Sequence, residues 1–480
     1  MPSINAFLLR TQKQDVDAIR TTKRILDYAA LKDVVAQTAF QLKELGIAPD
    51  DKTAVLYNHN ADFIIRILAL WQIGAVPVPV STRFTEPEID ELLENTDCNS
   101  IIIDEDLSHL KLNSQKLQVS NDAKPKERFL TEEELNPEKT AVIIFTSGSS
   151  GKAKGVELSF NSLLQSAKIG NQLLNQTSGD RWLASLPFYH IGGFSIISRA
   201  LVFSASIDIP DSLNTIGLTA SLDEFHPTLI SLVPTQLKRL IENSVNPDKE
   251  LRYTLLGGGH VDNKLFSSAM YDGWNPVKVY GATETSSFVT ALTADEWLDK
   301  PKSAGKPLKP NLIKIVSESR FPLNAGDVGE IAIYSPALMK GYYNNESETE
   351  EKLEDGFYFS GDVGYLDADG YLFIEAKRTD LIISGGENVN PIEVEKAITE
   401  HPDIDDAVVF PVKDEEWGEL VAAAIVMKEN SDKIDLETLE NFLKKEIAGY
   451  KIPKKIFFEN ELPKSDLGKV LRAQLVEKYS

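Results

Sequence analysis

Residues 141–155 read AVIIFTSGSSGKAKG. The first five are an uninterrupted apolar, β-branched run of the kind that forms a buried strand, and Val156 to Leu158 resume that character after the break. Between them stand Thr146, Ser147, Gly148, Ser149, Ser150 and Gly151, followed by Lys152 and Lys154. A glycine loop between two strands can turn its backbone N–H groups, four hydroxyls and a lysine ammonium toward one polyanion. A Gly/Ser surface turn is the ordinary alternative, but the density of donors beside two lysines favours a phosphate cradle. It is not the Walker arrangement, because no Lys-Ser/Thr pair follows Gly151 and the apolar helical pattern starts only after Ser159.

Outward from this loop, the chain up to about residue 320 alternates helical and extended patterns. Residues 28–45 and 62–74 read as helices, 53–57 and 100–103 as strands. Such alternation predicts an α/β fold, a large N-terminal domain of layered α/β subdomains. Between 328 and 375 short extended runs and the turn pairs Asp355-Gly356 and Asp369-Gly370 predict an antiparallel β portion. The apolar stretch 63–80 contains Arg66 and Gln72 and ends in Pro77 and Pro79, which fits a buried helix running into a strand better than a membrane span. Residues 113–137 are polar and read as a surface connection. After Asp380, Asn390, Pro391 and Glu393 look like a helix start. Extended runs at 407–412, 422–427 and 456–459 and a helix over 436–447 then describe a small α+β domain. The boundary falls near Thr379, giving domains 1–379 and 380–480.

At 480 residues the chain is too long for a single core. Its net charge of −23 repels nucleic acid and anionic membrane surfaces, so a polyphosphate must be captured by local groups. Cys98 is the only cysteine, which excludes an internal disulfide and a cysteine-based metal site. The first twenty residues lack the pattern of a signal peptide, and the cytoplasm is the expected compartment. The acceptor-like triplet Asn175-Gln176-Thr177 therefore carries no meaning. The partners expected are small molecules, with no nucleic acid and no membrane span; a homo-oligomer is left open.

Three further segments give the loop a context: VYGATET at 279–285, YFSGD at 358–362 and LPKSDLGKVLR at 462–472. With TSGSSGKAKG they resemble, in order and approximate spacing, the adenylate-forming superfamily of acyl-CoA synthetases, luciferases and peptide-synthetase adenylation domains. The resemblance implies ATP, Mg²⁺ and coenzyme A as cofactors and co-substrates. The chemistry has a clear physical need. A carboxylate is a poor electrophile, and conversion to an acyl-adenylate supplies pyrophosphate and then AMP as leaving groups.

By the same resemblance Thr146 to Lys154 would wrap the β and γ phosphates, and Gly257, Gly258 and Gly259 would let the backbone approach adenine. In the motif Tyr280-Gly281-Ala282-Thr283-Glu284, Tyr280 would pack on the adenine, Thr283 would bond the α-phosphate and Glu284 would hold Mg²⁺. Asp362 would accept from the ribose hydroxyls. Lys469 would bridge the substrate carboxylate and α-phosphate as charge builds in the transition state. The small domain would pivot at Thr379, with Asp380 beside it, bringing Ser384, Gly385 and Gly386 to the thiol channel. Each residue taken alone has a bland alternative: a solvated turn acid, a hairpin Asp, a surface lysine or a flexible linker. Two departures stand out. Ala153 replaces the loop's usual proline, and Ala376-Lys377-Arg378 stands where Gly-Arg is usual, so Lys377 or Arg378 supplies the charge near the ribose, with Lys377 in register.

The segment 185–200 is SLPFYHIGGFSIISRA. In the family His190 gates the acyl pocket and thiol tunnel, although a lone histidine can equally be a satisfied core residue. If the stretch is helical, Arg199 lies on or near a buried face and needs an anion, either an Asp or Glu of the fold or a second carboxylate on the substrate. The pattern looks most like the family's o-succinylbenzoate–CoA ligases of menaquinone and phylloquinone biosynthesis. One carboxylate would then meet ATP and the other Arg199, while Gly192 and Gly193 leave room for the ring. A ligase for another aryl or medium-chain acid is the alternative. A peptide-synthetase role is disfavoured because the sequence ends soon after Lys469 and lacks a pocket Asp. An oxidative, luciferase-like activity or a non-catalytic nucleotide-binding relative would differ by light emission or by indifference to loss of Lys469.

Overall fold

The computed structural model describes residues 2–119, 127–147, 153–259, 261, 263–376, 381–428, 431, 433–463 and 472–479. They form two compact units. The first comprises Met1–Thr82, Leu93–Phe145 and Gly155–Arg378, and the second Arg83–Leu92, Thr146–Lys154 and Thr379–Ser480.

In the first unit a nine-stranded sheet is parallel through its middle. Arg181–Leu183, Ser206–Asp208, Leu229–Leu232, Tyr253–Leu256 and Pro276–Ala282 run the same way. Antiparallel strands close both edges, with Ser287–Leu292 and Lys306–Pro307 at one and Ile25–Asp27 at the other. A four-stranded parallel sheet is built from Lys52–Leu56, Val76–Pro79, Ser100–Ile103 and Gln115–Leu117. The last of these strands lies within the stretch expected to be a surface connection; its register beside Ser100–Ile103, rather than its own polar composition, makes it a strand.

Helix Ala61–Ile73 is buried along nearly its whole length and leads into Val76–Pro79, as the apolar run 63–80 predicts. Its buried polar residues reach partners inside. Arg66 Nη2 donates to the Val119 carbonyl over 3.3 Å, and Gln72 donates to Leu8 O at 3.0 Å and accepts from Thr131 N–H at 3.2 Å. No helix among the described residues is long and apolar enough to cross a membrane. Helix Phe160–Leu174 starts at Ser159, whose hydroxyl accepts from the Ser162 N–H. It shares the main core with helix Ile191–Phe203 and with Trp71, which meets Phe160 and Phe194 edge-on.

A five-stranded antiparallel sheet covers Leu312–Val316, Gly329–Tyr334, Leu353–Glu354, Phe357–Leu366 and Leu372–Ala376. It begins some fifteen residues earlier than the change of sequence texture at 328 suggests. Asp355 and Gly356 both adopt positive φ, 51° and 76°, in the two-residue turn that the Asp-Gly pair predicts.

In the second unit, Ile382–Ser384, Glu387–Val389, Ile404–Asp414, Gly418–Met427 and Lys455–Phe458 make a sheet. Helices Pro391–Thr399 and Leu436–Leu443 share a core with it. Asn390 caps the first of these helices by accepting from the Ile392 N–H, with Pro391 in its first turn.

Candidate active site

Ligands of open parallel sheets bind beyond the carboxyl ends of the strands. Four such ends in the first unit lead into segments that the sequence singles out or that hold them in place. Leu183 leads to residues 184–190, Leu232 to Val233 and Gln236, Leu256 to Gly257, Gly258 and Gly259, and Ala282 to the turn Thr283–Thr285.

The motif at 280–284 is held by its own chain. An ideal Cβ on Gly281 would fall 2.1 Å from the Ser287 carbonyl oxygen, so only glycine allows the strand crossing there. Thr285 Oγ1 donates toward Ser287 O at 2.7 Å and accepts from the Ala282 N–H at 2.9 Å, which locks the turn. Tyr280 is buried and donates its phenolic hydrogen to Asp362 Oδ2 at 2.8 Å. Burial, and then the Asp362 charge, hold the phenol well above its ordinary value, so it remains a donor.

Asp362 is aimed by a bulge. Ala332 pairs with Phe359 and Glu330 with Val363, so Ile331 alone faces Ser360, Gly361 and Asp362. Gly361 has φ 78°, its N–H bonds Glu330 Oε1 at 2.9 Å, and Ser360 Oγ accepts from the Asp362 N–H at 3.1 Å.

Glu284 is buried, and its Oε1 accepts from the Tyr342 hydroxyl at 2.8 Å. Tyr342 pairs with Val156 on the strand leaving the glycine loop, so the loop's exit and the acid are fixed to one another. Among the described residues no group of three His, Cys, Asp or Glu side chains could form a metal cage. A magnesium ion here would rest on one carboxylate and the phosphates of its nucleotide, its usual mode of binding.

Gly257 approaches the Val279 side chain, Gly258 has φ 72°, and Gly259 lies against the Pro234 ring. Pro234 opens helix Pro234–Glu242, whose Gln236 accepts from the Val233 N–H at 3.1 Å and donates to the Ser185 carbonyl at 3.0 Å. One short element thus braces both the glycine stretch and the segment ending in His190. His190 is the residue before helix Ile191–Phe203. A Cβ on Gly193 would meet the Pro187 and Leu186 carbonyl oxygens at 2.1 and 2.5 Å, and one on Gly192 the Leu186 side chain at 3.0 Å. Glycine at 193 is therefore required by packing within the fold, a reason the sequence does not reveal, whereas at 192 only the end of the Leu186 side chain is close.

Arg199 is on that helix and 2% exposed. Its Nη1 donates to Ser195 Oγ at 2.9 Å, while Nε and Nη2 are buried without hydrogen-bond partners. The guanidinium lies 4.7 Å from the Phe288 ring centre and 5.6 Å from that of Trp182. Burial pushes its pKa down to about 9. Of the two partners the sequence leaves open, an internal carboxylate is not found among the described residues.

The second unit carries Ser384, Gly385 and Gly386 in a tight hairpin. Both glycines have positive φ, 60° and 88°, and the Gly385 N–H bonds the Trp417 carbonyl at 3.0 Å. Thr146 and Lys154 also belong to this unit, and Lys154 is buried. Gly148, Ser149, Ser150, Gly151, Lys152, Lys377, Arg378, Thr379, Asp380 and Lys469 lie outside the described residues, as do the side-chain surroundings of Ser147. Tyr342, Gln236, Glu330 and His59 were not singled out from sequence. Each supports a motif from a distant position with no local pattern of its own.

A family model described as AMP-binding enzyme matches residues 9–343, and one described as AMP-binding enzyme C-terminal domain matches 393–469. The chain is 33% identical over 465 residues to the 2-succinylbenzoate–CoA ligase of Bacillus cereus (strain Q1), covering 96% of this chain and 95% of that one. Among solved structures, the o-succinylbenzoate CoA synthetase of Bacillus subtilis matches as a double mutant bound to its product analogue OSB-NCoA. The TM-score is 0.92 at 29% identity, covering 99% of this chain and 98% of that one. The same enzyme in complex with the acyl-adenylate intermediate OSB-AMP matches at a TM-score of 0.74 and 30% identity, with the same coverage. The chain belongs to the AMP-binding enzymes, the adenylate-forming family.

Proposed function

We propose that the chain is an ATP-dependent 2-succinylbenzoate–CoA ligase acting in the cytoplasm. In the first step the substrate carboxylate oxygen attacks the α-phosphorus of MgATP and the bond to the β-phosphate breaks, releasing pyrophosphate. In the second, the thiolate of CoA attacks the acyl carbon and the bond to AMP breaks. The thioester would serve menaquinone or phylloquinone synthesis. The observation that carries this reading is the near full-length likeness to ligases of that acid.

The side chains fit these steps. Tyr280 and Asp362, bonded to each other, supply an aromatic face and a carboxylate for adenine and ribose. Thr283 stands beside Glu284 for the α-phosphate and its magnesium. Residues 146–154 supply the phosphate loop, and Lys377 and Lys469 the cationic groups. Thr379 and Asp380 are the proposed pivot, and Ser384, Gly385 and Gly386 the thiol-step segment.

Arg199 is the proposed partner of the second carboxylate. A buried guanidinium with two nitrogens lacking hydrogen-bond partners and no carboxylate partner among the described residues gains most from an anionic ligand. Exchange of labelled pyrophosphate into ATP across a panel of carboxylic acids tests the reading. 2-Succinylbenzoate is expected to drive exchange best. Best turnover with a monocarboxylate, unaffected by Arg199→Ala, would exclude the dicarboxylate.

A further inference from the structure

We infer that His59 is a positioning residue of the acyl-transfer site, holding in place the segment that ends in His190. The inference rests on the ligase reading above. His59 precedes Asn60, the cap of helix Ala61–Ile73, and is far in sequence from the segment it touches. Its Nε2 lies 2.7 Å from the Ala184 carbonyl oxygen. The carbonyl can only accept, so Nε2 carries the hydrogen and Nδ1 is the bare nitrogen. The ring stacks on Phe188 with centres 4.0 Å apart at 28°, and Phe188 stacks on Phe63 at 5.4 Å. His59 therefore grips the segment twice, at the carbonyl of 184 and the ring of 188, two positions before His190.

The segment's other anchors are of the same kind. Gln236 holds the Ser185 carbonyl, and the close approach of Gly193 fixes Leu186 and Pro187. Two side chains from separate elements thus hold adjacent carbonyls at the end of strand Arg181–Leu183. The choice of histidine is informative. Nδ1 is buried with no hydrogen-bond partner, which costs stability that an aromatic hydrocarbon at this position would not incur. Phenylalanine would keep the stack. What histidine adds is the directed bond to Ala184. Burial also pushes its pKa down to about 4, so near neutral pH the ring is neutral and its buried Nδ1 carries no proton.

Two variants separate positioning from general stability. His59→Phe keeps the ring and loses the donor, and His59→Gln keeps a donor at similar reach and loses the ring. In His59→Phe the KM for 2-succinylbenzoate is expected to rise and thioester formation to fall about tenfold each, with the KM for ATP unchanged, the loss of one buried hydrogen bond. His59→Gln is expected to recover most of both. Melting curves establish that each variant is folded, and His59→Gln carries the test if His59→Phe is not. An unchanged KM for the acid in folded His59→Phe, an equal rise in both KM values, or a His59→Gln KM for the acid shifted tenfold would overturn the inference. A wild-type chain that exchanges pyrophosphate with no carboxylate would overturn the ligase reading instead.

Discussion

Tyr280 donates its hydroxyl hydrogen to Asp362 across 2.8 Å, joining the central sheet to the bulge of the antiparallel sheet. Two motifs that are 82 positions apart in sequence are thereby one unit of the proposed nucleotide site. The bond fixes the carboxylate while leaving the face of the phenol ring in place.

Tyr280→Phe keeps the ring and removes its bond to Asp362. The KM for ATP is expected to rise about tenfold, as for loss of a hydrogen bond to a charged group, with kcat within a factor of about two. Steady-state kinetics with ATP varied at saturating acid checks this.

Glu284→Gln removes the charge proposed to meet magnesium but keeps the shape, and Tyr342→Phe removes only the bond that aims it. The first is expected to lower pyrophosphate exchange about 100-fold and the second about fivefold, with a shift to higher magnesium requirement in both. Exchange rates over a magnesium titration give both quantities.

Arg199→Met replaces a buried cation that has no carboxylate partner among the described residues with an apolar side chain of similar length. Without substrate the variant should melt at an equal or higher temperature, because burying the charge no longer costs free energy. With 2-succinylbenzoate its kcat/KM should fall about 100-fold, while any turnover of a monocarboxylic aryl acid changes little. A structural arginine would give the reverse pattern, with lower melting temperature and an unselective loss.

In the second unit Lys451 is buried and bonds Glu88 Oε1 and Glu393 Oε1, each at 2.5 Å. Desolvation raises the Glu393 pKa, with Lys451 opposing it, and the two carboxylates raise the Lys451 pKa against desolvation. A raised lysine contributes stability below its unfolded pKa and loses it only as pH rises through the folded value, so the wild type holds this contribution at neutral pH. Lys451→Met leaves two facing carboxylates and should cost about 3–5 kcal/mol near pH 7. A carboxylate with a raised folded pKa gains stability as pH falls through that value, so the deficit should shrink toward acid. Melting temperatures of both proteins between pH 5 and about 8 measure it.

Elements with local causes were legible in the sequence. The positive φ angles of Asp355 and Gly356, the Asn390 cap and the buried helix before Pro77 follow from side chains within a few residues. The family resemblance was legible as well, because glycine, hydroxyl and acid types stand in a fixed order along the chain. Contacts made by sheet register were not legible. Tyr342 reaches Glu284 only because its strand pairs with Val156, and Gln236 and His59 reach carbonyls 51 and 125 positions away. Gly192 and Gly193 read from sequence as room for a substrate ring; the close approach of Gly193 to the backbone of Leu186 and Pro187 is a further constraint that only the fold reveals. The sequence leaves the partner of Arg199 open because burial is visible in periodicity, while the absence of a carboxylate partner among the described residues is visible only in the fold.

Adenylation ahead of thioester formation is tested by a single turnover in the absence of CoA. The enzyme is mixed with α-labelled ATP, magnesium and 2-succinylbenzoate, and the products are separated. About one equivalent of labelled acyl-adenylate with matching pyrophosphate is expected, converted to AMP and thioester when CoA is added. Release of ADP, or thioester formed at the same rate without ATP, would contradict it.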